Sequence, residues 1–255
     1  MIKLAAIVNV WDGCELLRGS IDCYKDHVDK IIIVWQNVSN IGEAYDPMPE
    51  MKFPFEIEKK IIHSKYEPNF NIAASQNEVK KRNIGLDIAY NYDCTHFFHI
   101  DVDEYYQNFG AMKKEYFNSR CPGSVCRIYT YFKKPTLRLE NLDGYYVPFI
   151  HELEESTRSG NCTYPFYCDP TRTISFSEKV DKDCLWEMSQ PMHHYSWIRN
   201  DIGRKVRNSS AAQYGNKMKG LLDDYNNPNI GDGYVLNDMG GQKLKIVDDL
   251  FGISK

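Results

Sequence analysis

The chain has 255 residues, with 31 lysines and arginines against 35 aspartates and glutamates, a formal charge of −4. Hydrophobic residues make up 42% and aromatic residues 13%, enough apolar surface for a substantial core, which excludes a disordered or fibrous chain. The mildly acidic balance argues against a partner held mainly through a broad phosphate-binding surface, because non-specific nucleic-acid affinity comes from clustered cations.

No apolar run approaches the roughly 20 residues that cross a bilayer, the longest being Ile31 to Trp35. Leu4 to Val8 is too short for a secretory h-region and no small-residue cleavage site follows it, so a cytoplasmic location is expected. Eight cysteines, Cys14, Cys23, Cys94, Cys121, Cys126, Cys162, Cys168 and Cys184, form no C-x-x-C pair and are expected to be mostly reduced core fillers. The glycosylation triplets beginning at Asn37, Asn161 and Asn208 then read as chance matches.

In chain order, Lys3 to Val10 is apolar and β-rich, Trp11-Asp12-Gly13 interrupts it, and Leu16, Leu17, Ile21, Tyr24 and Val28 recur at helical spacing before Ile31 to Trp35. This predicts a strand, helix, strand unit whose nearly continuous apolar strands are covered on both faces. Phe55 to His63 reads as a further strand, Ala73 to Tyr90 as a helix and Thr95 to Val102 as a buried strand. Beyond these, Phe109 to Asn118 suggests a short helix, Ser124 to Phe132 and Tyr145 to Ile150 suggest strands, polar loops run to Pro191, and Ile198 to Tyr214 is helix-compatible. The expected fold class is α/β, a mostly parallel central sheet flanked by helices with a loop-rich back, in a single domain over residues 1–255.

The most informative segment is Phe97-Phe98-His99-Ile100-Asp101-Val102-Asp103-Glu104. In extended backbone Asp101 and Asp103 project to one side and Val102 to the other. Two carboxylates there can hold Mn²⁺ or Mg²⁺ and leave coordination positions for phosphate oxygens. A lone D-x-D reads more readily as an acidic turn; its place at the carboxyl end of a hydrophobic strand, where open α/β sheets bind ligands, is what gives it weight.

Asn77 to Ala89 places Lys81, Arg82 and Asn83 in the helix that leads into this strand. Here the sequence resembles the GT-A glycosyltransferases, especially family 2-like enzymes, which share an R-N-x-G-x-x-x-A helix followed by a strand ending in D-x-D. Arg82, Asn83, Gly85 and Ala89 precede Asp101 and Asp103 at the family's interval, and the resemblance covers about residues 1 to 110. It implies a GT-A, Rossmann-like sheet, with 1–108 as the nucleotide-sugar-binding half and 109–255 as the acceptor-binding half and C-terminal tail. It implies a nucleobase contact from the loop holding Asn9, Trp11 and Asp12, where V-N-V-W-D only loosely keeps the family's V-x-x-Y-N run, and it sets Arg82 and Asn83 near the nucleotide. A late histidine serves many of these enzymes as a further metal ligand. Of His193 and His194, which point to opposite sides of a strand, His194 is the preferred one. Arg199 and Lys205, with Arg204 and Arg207 close by in sequence, are expected against the diphosphate. Glu152, Asp169 and Glu187 are candidates for the base an inverting transfer needs, and no spacing rule chooses among them.

The expectation is metal-dependent transfer of a sugar from a nucleoside-diphosphate sugar, a UDP-sugar by default, to an acceptor hydroxyl, with Mn²⁺ or Mg²⁺ held by Asp101, Asp103 and His194. A glycan, lipid-linked sugar or protein is the expected acceptor. A minority reading is a hydroxymethylated DNA base, with Arg158, Arg172 and the Arg204 to Arg207 cluster gripping the strand. A sugar nucleotidyltransferase would carry a glycine-rich phosphate loop where Asn9 to Cys14 has one glycine. A non-enzymatic carbohydrate- or nucleic-acid-binding protein, which eighteen tyrosines permit, would need neither ion nor donor.

Overall fold

The computed structural model describes the chain apart from residues 161, 163, 176–183, 209–215, 238 and 254–255, and the side chains of 216–218. In order the elements are β1 Leu4–Val10, α1 Cys14–Tyr24, β2 Lys30–Trp35, α2 Phe55–Glu58, β3 Ile61–Lys65, α3 Ala74–Asn91, β4 His96–Asp101, β5 Glu104–Tyr105 and α4 Phe109–Ser119. There follow β6 Gly123–Cys126, β7 Ile128–Phe132, β8 Leu137–Leu139, β9 Val147–Glu152, β10 Arg158–Ser159, β11 Ile174–Ser175, β12 Leu185–Glu187, β13 Met192–Trp197, α5 Ile202–Asn208, α6 Asn216–Asn226 and β14 Leu244–Ile246.

The main sheet has the strand order β12-β6-β9-β4-β1-β2-β3, and β9 alone runs against the rest. This is the mostly parallel, helix-flanked α/β architecture that the alternation predicts. Every residue of β1 is buried because its two faces feed two cores. Leu4, Ala6, Val8 and Val10 pack with Leu17, Ile21 and Tyr24 of α1 and with Phe109, Met112 and Tyr116 of α4. Ala5 and Ile7 face the opposite way, toward Leu86 and Ala89 of α3. Gly85 lets α3 approach the sheet, since a Cβ there would overlap Ile7 Cγ2.

A second sheet, β14-β8-β7-β13-β5, stands beyond the carboxyl end of β4. Its β5 follows the D-x-D immediately and pairs antiparallel with β13, setting His193 opposite Tyr105 and His194 opposite Glu104. That pairing delivers a distant histidine to the D-x-D turn, and Tyr195 N–H donates to the Asp103 carbonyl at 2.7 Å.

Three segments differ from the periodicity. Phe55 to His63 begins as the short helix α2 behind Pro54, whose φ of −60° suits a helix start, and becomes strand only at Ile61. Ser124 to Phe132 is two strands in two sheets, broken at Arg127. Of Ile198 to Tyr214, Ile202–Asn208 is helix and 209–215 lie outside the described residues, as does Asn161. Of the cysteines, Cys14, Cys94, Cys126 and Cys168 are buried, and Cys121 Sγ stands 2.7 Å from Cys184 Sγ. No helix among the described residues is long and apolar enough to cross a membrane.

Candidate active site

A cavity of about 250 Å³ opens at the carboxyl end of β1 and β4. Parallel register puts Asn9 beside Asp101, and Trp11 and Asp12 continue from β1 into its wall. Helix α3 contributes Glu78, Lys81 and Arg82, three and four residues apart and therefore on one stripe. His194 and Ser196 arrive on β13, Arg199 from the turn after it, Lys205 and Asn208 on α5, and Asp169 from the loop before β11.

Cations crowd both carboxylates of the D-x-D. Arg82 Nη2 donates to Asp101 Oδ1 and Oδ2 at 3.4 Å each, and Arg172 Nη1 stands 3.7 Å away. Asp103 accepts a close hydrogen bond from Arg199, with Lys205 Nζ and His194 Nε2 each at 3.7 Å. Burial by itself would raise both carboxyls; Arg82 and Arg172 outweigh it at Asp101, while Arg199, Lys205 and His194 hold Asp103 well below the usual carboxylate range. The same contact turns His194 the other way, burial lowering it but Asp103 raising it further, which favours the imidazolium. Its neighbour His193 faces a hydrophobic cluster, where burial and then Arg138 push it down to about 4. Lys81, only 6% exposed, is pushed down to about 8 by burial despite Glu78 and Asp101.

Several buried polar atoms of the wall have no hydrogen-bond partner within the described protein: Asn9 Oδ1, Trp11 Nε1 and Asn208 Oδ1. Asn208 is oriented by its own amide, which donates to Glu43 Oε2 at 2.7 Å and to the Arg204 carbonyl at 2.8 Å, so the oxygen is left as an acceptor. Such atoms suit a ligand that carries both donors and acceptors. Gly13, at φ +80°, backs the far wall, and a Cβ there would overlap Arg199 Nη1.

For a divalent ion the donor chemistry is right. Asp103 Oδ1 and His194 Nε2 stand 3.7 Å apart, a spacing that two ligands at about 2.1 Å from a shared ion can take. Among the described residues, however, no three His, Cys, Asp or Glu side chains converge as a preassembled metal site. Holding an ion at Asp103 requires the carboxylate to exchange cation partners.

The remaining expected residues divide clearly. Asn9, Trp11, Asp12, Arg82, Asp101, Asp103, Asp169, His194, Arg199 and Lys205 all line the cavity. Asn83, one position further around α3, is instead spent on β10, accepting from Ser159 N–H at 2.8 Å and donating to its carbonyl at 3.3 Å. Glu152 pairs with His96 at the opposite end of β4, about 17 Å of strand from Asp101. Glu187 ends the edge strand β12, exposed, where it accepts from Tyr146 Oη at 3.3 Å. Arg172 is 6% exposed inside an ion pair with Glu104, so it does not present itself to a nucleic-acid strand, and Arg158 faces Asp87 at 3.4 Å. Sequence reasoning missed Glu78, Ser196, Asn208 and the Glu104–Arg172 pair, and named Lys81 without a role. Glu78 and Lys81 were within its reach, Glu78 lying one turn before Arg82 and Lys81 directly before it, three residues on from Glu78.

No family profile and no curated protein matches the sequence. Among solved structures, TarS 1–349 from S. aureus superposes with a TM-score of 0.42 at 13% identity, covering 88% of this chain and 71% of that one. The same TarS fragment in complex with UDP-GlcNAc gives 0.32 at 16% identity over 51% of this chain and 34% of that one. A mannose-1-phosphate geranyltransferase from Thermus thermophilus gives 0.30 at 11% identity over 61% and 51%. The chain spans 22% of the longer TarS chain it matches. None of these scores reaches 0.5, and the functional reading rests on the cavity's own geometry.

Proposed function

We propose that this chain is a glycosyltransferase that moves a sugar from a nucleoside-diphosphate sugar, with UDP as the default nucleotide, to an acceptor hydroxyl. The observation that carries the reading is the convergence of Arg82, Arg199, Lys205 and His194 on the Asp101 and Asp103 carboxylates in one cavity at the carboxyl edge of the sheet. A diphosphate has the charge these side chains can neutralise, and Asn9, Trp11 and Asn208 offer hydrogen bonds to a nucleoside.

In this reading the acceptor oxygen bonds to the anomeric carbon as the bond from that carbon to the diphosphate oxygen breaks. Negative charge grows on the leaving group, and Arg199, Lys205 and Arg82 stabilise it in a site that is already organised. Asp169, alone of the three candidate acids in the cavity, takes the acceptor's proton. Mn²⁺ or Mg²⁺ belongs to the proposal as an ion held by Asp101, Asp103 and His194, where it would act as a Lewis acid toward the diphosphate. His194 would bind it through a deprotonated nitrogen. The proposed acceptor is a glycan, a lipid-linked sugar or a protein hydroxyl, and the cytoplasm the proposed location.

Thermal-shift screening with UDP, GDP, CDP and TDP, each with Mn²⁺ and with EDTA, is expected to show stabilisation by UDP that depends on the ion. Labelled UDP-sugar offered with glycan, protein and hydroxymethylated-DNA acceptors then identifies the acceptor class. Asp103→Ala should lower turnover by at least about 10²-fold, the usual effect of losing a preorganised charge contact. Full metal-dependent turnover in that variant would overturn the assignment. UDP binding without transfer from any donor would leave a carbohydrate- or nucleotide-binding protein in its place.

A further inference from the structure

We infer that the buried Glu104–Arg172 ion pair is a positioning strut, coupling the D-x-D turn to the turn that carries Asp169 and so setting the base against the donor. The inference rests on the glycosyl-transfer reading for Asp169's role, while the strut itself stands on the geometry.

One end of the strut is the D-x-D turn. Glu104 is fully buried, and its carboxylate accepts from both terminal nitrogens of Arg172, closely from Nη1 and at 2.9 Å from Nη2. The same carboxylate accepts from the Asp101 backbone N–H at 3.1 Å, and Arg172 Nη2 also donates to the His99 carbonyl at 3.2 Å. Arg172 therefore grips β4 through His99 and β5 through Glu104, on either side of Asp101 in sequence. Ser20 Oγ donates to the Glu104 carbonyl at 2.8 Å and fastens the turn to α1.

The other end is the segment from Asp169 to Arg172. Arg172 N–H donates to the Asp169 carbonyl at 2.9 Å, and Thr171 donates to Asp169 Oδ1 from its N–H at 2.8 Å and its hydroxyl at 2.9 Å. The carboxylate of Asp169 is thus oriented by a turn whose last residue is bolted to β4. Backbone bonds flank this segment, Tyr146 N–H donating to the Tyr167 carbonyl at 2.8 Å and Gly160 N–H to the Thr173 carbonyl at 2.7 Å, while the guanidinium ties the turn itself to β4 at the His99 carbonyl.

Stability is a poor account of such a pair, since burying two charges costs desolvation that their attraction seldom exceeds, and matched neutral replacements often fold as well. Orientation is the better account. A planar fork on a carboxylate fixes direction as well as distance, which a lysine or an apolar contact does not.

The test uses the full chain and the double variant Glu104→Gln/Arg172→Met, which removes both charges while leaving an acceptor for the Asp101 amide. We expect a melting temperature near wild type, UDP affinity within a few-fold of wild type, and kcat lower by roughly 10²-fold, the cost of a misplaced reacting group. Adding Asp169→Asn to the double variant should then cost far less than it costs wild type. Unchanged kcat, or losses that simply multiply, would overturn the inference. Should the double variant fail to fold, Arg172→Lys keeps the charges balanced and is expected to give the same split between kcat and UDP affinity; kcat at the wild-type level in it would sink the strut. Amide hydrogen exchange supplies a readout free of turnover: Thr171 and Arg172 should exchange faster in the variant while β1 and β4 stay protected. Equal protection overturns the strut, whereas a wild type inert toward every donor overturns only the glycosyl-transfer reading.

Discussion

Lys81 shows how a single residue in this cavity is tuned by what surrounds it. Its ammonium is buried beside Glu78 and Asp101, and burial takes it down to about 8 against the ordinary lysine value of 10.5. Near pH 8.5 the side chain is therefore partly deprotonated, and a bound diphosphate would restore its proton by raising that value. UDP binding at pH 8.5 is expected to take up a fraction of a proton, read as a dependence of the calorimetric enthalpy on the buffer's ionisation heat. Buffer-independent heat would remove Lys81 from the phosphate contacts. Part of this was readable in the sequence: Asp101 and Asp103 follow from strand alternation, and Lys81 from its stripe on α3. The role of Glu104 is not legible there, because its partner Arg172 is 68 residues away and no local pattern announces an ion pair across that span.

At the scale of elements, the alternation of β1 between two cores explains why the front half was legible. Continuous apolar runs have one stable arrangement, a central strand covered on both faces, and β1, β2 and β4 adopt it. Two misreadings came from breaks that hydropathy does not register, the helix start after Pro54 and the change of sheet at Arg127. The close approach of α3 is held open by a missing side chain. Gly85→Ala puts a methyl into Ile7, and overpacking of this kind costs about 1–3 kcal/mol. Urea denaturation should show the midpoint falling with the slope unchanged, and donor affinity should fall with it because α3 carries Lys81 and Arg82. An unchanged midpoint would mean that helix and sheet separate more easily than their packing suggests.

Over the whole molecule, buried and half-buried histidines set the response to acid. Burial pushes His96, His151 and His193 down to about 4, and burial with Arg82 and Arg172 takes His99 well below its ordinary range. In the unfolded chain each titrates near 6.5. Between about 6.5 and 4 the unfolded state thus binds more protons, and stability falls as pH falls, by up to about 1.4 kcal/mol per pH unit for each histidine. His194 acts oppositely: its raised value contributes stability below 6.5 that is lost as pH rises through the folded value. Asp101 and Asp103, held low, lose their contribution only in stronger acid. The melting temperature should therefore drop from pH 7 to pH 5, and His193→Gln should flatten the slope; a flat profile in the wild type would contradict the burial of these rings. The same partition bears on charge. Arg82 and Arg172 are withdrawn from the surface into ion pairs, leaving an exterior less basic than a count of arginines suggests.

Gly13 gives the cavity an uncharged control over its charge. The room for Arg199 beside Asp103 is the room left by a hydrogen atom at residue 13, in a backbone conformation that side chains resist. Exchange of that hydrogen for a methyl group would evict the guanidinium and leave Asp103 to Lys205 and His194, opening the carboxylate to an outside cation. The appetite of the site for a metal ion can thus drift in evolution without any substitution among its acids and bases, through a position that no inventory of charged residues would include.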